Sequence, residues 1–202
     1  MIVYGASGHG KVIIDILKVL DLKIDQILDD NPEIKCLQNY TVAQNLDESL
    51  KHSEVVIAIG NNMIRKNIAA KNLKFCAALI HPRAMVSDSA NLGKGTVVMA
   101  NSVINACTKV GNHCIINTGS IIEHDVHIAD FAHISPGAII TGNVEIGAGT
   151  HIGAGASIIP GIKIGKWAII GAGAVIIDEV PDYAVVVGNP GKIIKFNKIK
   201  NE

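Results

Sequence analysis

An aliphatic residue recurs at every sixth position from Val86 to Ile176, through Leu92, Val98, Ile104, Val110, Ile116, Ile122, Ile128, Ile134, Ile140, Ile146, Ile152, Ile158, Ile164 and Ile170. Four places after each aliphatic stands a mostly small residue, such as Ala90, Thr96, Ser102, Ala132 or Thr150. Glycine recurs at the second and fourth places, as in Ile146-Gly-Ala-Gly-Thr150. A period of six fits no helix of 3.6 residues per turn, but it is even, so the large and the small residue can share the inward face of short strands. Glycine at the corners supplies positive φ or close backbone approach. Three six-residue sides close into a triangular coil, and stacked coils satisfy their backbones by parallel pairing. The sixteen hexads between Val86 and Pro181 predict about five coils of parallel β-helix around a column of Ile and Val.

The chain before Val86 follows another rhythm. Met1 to Tyr4 is a short apolar strand, and Val12, Ile13, Ile16, Leu17 and Leu20 lie at helical spacing after the turn Gly5-Ala-Ser-Gly-His-Gly-Lys11. Ile24 to Leu28 and Glu54 to Ile59 read as further strands, Met63 to Leu73 as a helix, and Phe75 to Ile80 as a last strand. Strands alternating with helices predict a parallel sheet, whose ligands bind beyond the carboxyl ends of the strands. The expected division is an α/β domain, residues 1–82, followed by a β-helix domain with a short tail, residues 83–202. Only eleven charged side chains fall between Val86 and Pro181, which sets that stretch apart from the segment before it.

The glycine turn carries the first candidate chemistry. Gly5-x4-Gly10-Lys11 comes close to a P-loop, but Val12 stands where magnesium needs Ser or Thr, and the glycine order is not that of the G-x-G-x-x-G fingerprint. What survives is a helix N-terminus whose amides can hold a phosphate, against the alternative of a tight turn with no ligand. Asp29 and Asp30 end the second strand, where they can accept hydrogen bonds from a ribose or base, and Gly60 ends the third, where a ligand can approach closely.

Charge is balanced at 18 basic and 18 acidic residues, so neither nucleic acid nor an anionic membrane is expected as the main partner. The longest apolar runs fall far short of a membrane span. Four cysteines without C-x-x-C, and Met1 leading directly into a strand, predict reduced thiols in the cytoplasm.

Within the hexads the informative residues are polar interruptions. Glu123-His124-Asp125 is the densest, with Asn117 one hexad before it; at eighteen residues per coil, His124 falls between Ala106 and Gly142, with open space above and below, and His133 beneath His151. An acidic neighbour can fix the tautomer of a histidine and raise its basicity, as a general base requires. Lys109, His127, Glu145 and Lys163 form a column of alternating sign that reads as a solvated face. Phe131 and Trp167 read as outward aromatics at a subunit contact, and Lys192, Lys195, Lys198 and Lys200 as a basic, solubilising tail.

The hexads ending in Gly188-Asn-Pro-Gly-Lys192 resemble the hexapeptide-repeat acyltransferases. Tyr4-Gly-Ala-Ser-Gly-His-Gly10, Leu28-Asp-Asp30, Ala58-Ile-Gly-Asn-Asn62, Ile64-Arg-Lys66, Leu79-Ile-His81, Ile122-Glu-His-Asp125 and Ala132-His-Ile-Ser135 narrow this to bacterial sugar acetyltransferases of the PglD and sialic-acid O-acetyltransferase type. The resemblance covers essentially the whole chain and implies a left-handed β-helix, a trimer with active sites between subunits, and acetyl transfer from acetyl-CoA, without a metal, to the 4-amine of a UDP-linked amino-deoxy sugar. It implies His124 as general base supported by Asp125, where related members carry Glu. It further implies His133, Gly142, Ala154 and Ala172 as contacts of acetyl-CoA, and Ser7, Gly8, His9, Asp29, Asp30 and Gly60, with Asn117, as contacts of the substrate.

A thioester is already activated, so such an enzyme must align an amine, take its proton and stabilise an oxyanion. Direct transfer is expected, because neither Cys107 nor Cys114 has a histidine partner identifiable in the sequence. Three alternatives stay open: O-acetylation of a sialic acid or other sugar hydroxyl, a metal-dependent lyase on the same fold, and a non-catalytic binding protein. Against the lyase, His124, His127 and His133 are spaced three and six apart, where β-helix zinc lyases show two histidines five apart.

Overall fold

The computed structural model describes residues 1–197; Lys198 and Lys200 of the basic tail lie outside the described residues. The amino-terminal sheet contains β1 (Ile2–Tyr4), β2 (Gln26–Leu28), β3 (Cys36–Leu37), β4 (Tyr40–Ala43) and β5 (Val55–Ile57), in the order β3-β4-β2-β1-β5. All neighbours are parallel except β3 and β4, a hairpin at one edge. Helix α1 (Gly8–Val19) follows β1, and α2 (Asn62–Ala69) follows β5. Ile13, Ile14, Ile16 and Leu17 of α1 are buried with Val3, Ile27 and Val56, and Leu20 packs against them, so the face that covers the sheet is the one read from the sequence except at Val12, which is exposed while Ile14 takes its place in the core.

One element was not read from the sequence, and one expectation needs correction. The hairpin β3–β4 falls in a stretch that carries no clear alternation. The segment Phe75 to Ile80 is not one strand of this sheet: Phe75 makes a single bridge to Val55, and Leu79–Ile80 pairs instead with Val97–Val98 of the coil stack. An apolar run of six residues can serve either sheet, and only the path of the chain after α2 decides which.

From Leu79 on, two-residue strands form three parallel sheets, each pairing residues eighteen apart, as in Ile116↔Ile134↔Ile152. We name the sides by their strands: face one holds Ile121–Ile122, face two His127–Ile128 and face three His133–Ile134. The result is a left-handed parallel β-helix, with the sixfold aliphatic residues and the small fifth-place residues together in its core. Buried hydroxyls at the fifth place are satisfied by main-chain carbonyls, Thr96 by Gly111 at 2.8 Å and Ser120 by Asn117 at 2.8 Å. Each therefore meets the need of a buried polar group for a partner.

The fourth place of each hexad adopts positive φ at all fourteen corners from residue 95 to residue 173, yet only seven of these residues are glycine. Asn101, Cys107, His113, Asp125, Phe131, Asn143 and Trp167 occupy the rest, at about 1 kcal/mol or more each relative to glycine. Several of these strained corners carry side chains that do something. The second-place glycines have a different reason: a Cβ on Gly147 would stand 2.4 Å from the nitrogen of Lys166 in the next coil.

The α/β unit packs against face three, and Val97, Met99 and Ile115 of the coils belong to the same apolar cluster as α1 and the sheet. His113 lies edge-on to Phe75 at 4.7 Å and stacks on Phe131 at 5.6 Å. Trp167 covers Gly149 and lies 5.5 Å from Lys66 Nζ of α2. Trp167 therefore packs against this chain's own first domain and Phe131 against His113 at the seam beside it, a correction to the subunit contact expected of them.

Candidate active site

His124 occupies the corner between faces one and two, more than half exposed, and its Nδ1 lies 2.9 Å from Asp125 Oδ2. Adjacent residues meet in this way because Asp125 is in the left-handed conformation, φ 58°, which turns its carboxylate back towards the preceding ring. An ionised carboxylate only accepts, so Nδ1 carries the ring proton and Nε2 is left with its lone pair, the form of a base. Gly142 lies in the coil above, where a Cβ would stand 2.7 Å from His124 Cε1 and 2.9 Å from Nε2. The space above the ring is thus filled by Gly142 rather than open, and Gly142 permits the ring's position. Glu123, the preceding residue, accepts from Asn105 Nδ2 at 2.9 Å.

A second cluster stands where face three meets the α/β unit. His133 Nε2 is 3.1 Å from Asn117 Nδ2, and its ring stacks on that of His151 with centroids 4.7 Å apart. An amide nitrogen only donates, so His133 Nε2 accepts and Nδ1 carries the proton. That Nδ1 and His9 Nε2 are both buried without a hydrogen-bond partner. Burial, then the charges of His151, Arg65 and His9, drive the His133 imidazole down to about 3. Burial and Arg65 take His9 to about 4. His113, which nothing in the sequence marks as a site residue, falls to about 4 through burial and then Lys94 and Arg65.

These shifts have a consequence for stability. Between about pH 6.5 and 4 the unfolded chain binds protons at these three histidines that the folded chain does not. Their full contribution is present above pH 6.5 and is lost as the pH falls towards the folded values, at about 1 kcal/mol per histidine per pH unit. We expect the thermal midpoint to begin falling near pH 6, before carboxylates titrate; a midpoint constant from pH 7 to 5 would contradict the burial of the cluster.

Beyond β1, β2 and β5 lies the third group of predicted residues. Gly5, at φ +123°, approaches so closely that a Cβ would stand 2.7 Å from the carbonyl oxygen of Ala58. Ser7 caps α1 without a side-chain hydrogen bond, so its hydroxyl and the first-turn amides are available to an anion. Gly8 and Gly60 both face open space. The two aspartates divide their work. Asp29 accepts from the amides of Ala6 at 2.7 Å and Asn31 at 2.9 Å, which ties the glycine turn to the end of β2. Asp30 is more exposed, accepts from Tyr4 Oη at 2.6 Å and pairs with Lys71 at 3.3 Å; the Tyr4 hydrogen bond holds its carboxyl below the usual range.

Ala154 and Ala172 are exposed one coil apart at the corner between faces three and one. At that corner Gly119, Gly137, Gly155 and Gly173 have φ between 65° and 66° and nothing near a would-be Cβ. The edge therefore presents glycines and small side chains, with little covering its backbone. Cys114 cannot serve as an acyl carrier: burial pushes its thiol up to about 12, and it points to the carbonyl of Ala129 at 3.2 Å. Among the described residues no group of three or more His, Cys, Asp or Glu side chains is placed to hold a metal ion, and no helix is long and apolar enough to cross a membrane.

The PglD N-terminal domain family matches residues 1–72, and the bacterial transferase hexapeptide family (six repeats) matches residues 143–178. A mutant of perosamine N-acetyltransferase from Caulobacter crescentus, solved in complex with CoA and GDP-perosamine, is 33% identical, with TM-score 0.89 and 96% of each chain covered. The chain belongs to the PglD-type family of hexapeptide-repeat sugar acetyltransferases.

Another solved structure, the acetyltransferase domain of PglB from Neisseria gonorrhoeae FA1090, is 36% identical, with TM-score 0.87 over 96% of this chain and 98% of that one. The same domain has been solved in complex with acetyl coenzyme A. UDP-N-acetylbacillosamine N-acetyltransferase of Bacillus subtilis (strain 168) is 39% identical over 48% of this chain and 50% of its own. The chain therefore spans about half the length of this curated relative.

For a PglD-type chain the placement of the predicted residues has one notable feature. His9, Gly60, Asn117 and His133 come together, and His124, Asp125 and Gly142 come together, but one chain keeps the two groups apart. His124 lies at the corner between faces one and two and His133 half a coil further on face three, with face one between the edge of His124 and the edge of Ala154 and Ala172.

Proposed function

We propose that the protein is an acetyl-CoA-dependent N-acetyltransferase acting on the 4-amino group of a UDP-linked amino-deoxy sugar. The observation that carries this reading is the His124–Asp125 pair, which leaves Nε2 of an exposed imidazole as a free base. Acetyl-CoA supplies an activated acyl group. His124 Nε2 takes the proton of the attacking amine, the imidazolium is stabilised by Asp125, and the same proton can pass to the departing thiolate. His133 Nδ1–H is a buried, unpartnered donor of the kind that would hold a carbonyl of the acyl donor. The nucleotide sugar would lie across Ser7, Gly8, His9, Asp30 and Gly60, with Asp29 shaping the turn and Asn117 orienting His133. This reading divides the work near residue 82, between a nucleotide-sugar domain and an acyltransfer domain.

We infer a cytoplasmic homotrimer with sites between subunits. Met85, Val103, Ile121 and Ile139 align on face one, and Met85 and Ile139 are 70% and 37% exposed. A second copy packed there would bring its bare edge towards His124. The test is acetyl-CoA-dependent thiol release with UDP-4-amino-4,6-dideoxy-N-acetylglucosamine, GDP-perosamine and free sialic acid in parallel, with the mass measured in solution. Turnover of the UDP-amino sugar by a trimer is expected. Turnover of sialic acid alone would replace N-acetylation by O-acetylation, and an active monomer would remove the shared site.

A further inference from the structure

Arg65 of α2 is only 1% exposed and has no carboxylate partner among the described residues. Its guanidinium is nevertheless fully used. Nε donates to the carbonyl of His113 at 2.7 Å, Nη1 to Ile59 at 3.0 Å and Gly60 at 3.2 Å, and Nη2 to Phe131 at 2.8 Å, Ala132 at 3.4 Å and Asn62 Oδ1 at 2.8 Å. One side of this fork grips the loop after β5, and the other grips the residues that lead into His133. Asn62 extends the grip one coil further, its Nδ2 donating to Gly149 at 2.9 Å and Thr150 at 3.3 Å, just before His151. A planar fork with five fixed N–H groups can hold carbonyls from two domains at once, and a lysine cannot.

We propose that Arg65 is a positioning residue for acetyl transfer, which locks the Gly60 loop of the α/β domain onto the His133 edge of the β-helix and sets an uncompensated positive charge beside the histidine cluster. The proposal rests on the acetyltransferase reading above and assigns a role to a residue that touches neither substrate nor base. A salt bridge would have joined the domains equally well; what the carbonyl clasp adds is a charge left unneutralised. The groups facing His133 are His151 from the next coil, His9 from α1, Arg65 from α2, the neutral Asn117 and the main chain of Gly60, so among these groups Arg65 bears the permanent charge. After burial and His151, that charge is the next cause of the depressed His133 value, and it also acts on His9, His113 and His151. The ring is thereby kept neutral, with Nδ1–H available to a ligand.

The test compares wild type, Arg65→Lys and Arg65→Gln by NMR titration of the His133 ring and by steady-state kinetics with the UDP-amino sugar and acetyl-CoA. Arg65→Lys keeps the charge and loses the fork. It should leave the His133 titration in place while raising KM for the sugar nucleotide about 10-fold, with a smaller change in kcat. Arg65→Gln loses both, and His133 should titrate about one pH unit higher. Wild-type kinetics in Arg65→Lys, or an unmoved His133 titration in a folded Arg65→Gln, would overturn the proposal. If Arg65→Gln does not fold, the KM and kcat of Arg65→Lys decide. Should the wild type turn over none of the sugars, the functional reading fails separately, and the titration arm alone then decides the role of Arg65.

Discussion

His124→Ala is expected to lower acetyl transfer by at least ~100-fold with little change in thermal midpoint. The ring is more than half exposed and its one hydrogen bond is to the neighbouring Asp125, so its removal leaves no cavity in the core. A loss confined to kcat, with substrate KM values little changed, would identify a group that acts only as the proton moves. Asp125→Ala should cost less, since it removes the partner that holds the tautomer but not the base itself. Full activity in His124→Ala would show that another group takes the proton, and the structure offers no second exposed imidazole with a carboxylate on its Nδ1 among the described residues.

Gly142→Ala is the second large effect expected, and it is one that a surface substitution of glycine by alanine would not ordinarily cause. The new methyl group would stand 2.7 Å from His124 Cε1, so the ring must move off its contact with Asp125. Displacement of a base by about an ångström costs on the order of 10² in rate. The φ of Gly142 lies outside the left-handed region, so alanine fits the backbone, and thermal stability should hold. The two measurements together separate a displaced base from a damaged fold: kcat should fall by about 10- to 100-fold while the midpoint stays near that of wild type. Equal activity in Gly142→Ala would mean that the ring leaves this position in the working enzyme.

Much of the site is legible in the residue order because a β-helix is close to one-dimensional. With eighteen residues per coil, the register that puts His133 under His151, and Lys109, His127, Glu145 and Lys163 in one column, follows from counting. The same counting places Gly142 above His124, though not the contact between them, because it says nothing of how far a ring leans. His113 and Arg65 carry no such signal. A histidine at a hexad corner and an arginine on a short helix look like surface residues, and only the docking of two domains makes them interior. Phe131 and Trp167 mislead for the same reason: their outward positions on the prism lie at the seam with the chain's own first domain.

The sixfold aliphatic period determined the β-helix by itself, since no other closed arrangement buries a large and a small residue every six positions while pairing all the backbone. The strand-turn-helix start determined the parallel sheet and the open helix N-terminus. Tertiary structure alone decided which strand Leu79–Ile80 would join, that half of the corners bear side chains at positive φ, and that an arginine without an acid would close the domain interface. The physical reason is range: periodicity records which groups of one segment face inward, whereas the meeting of two segments depends on the path between them.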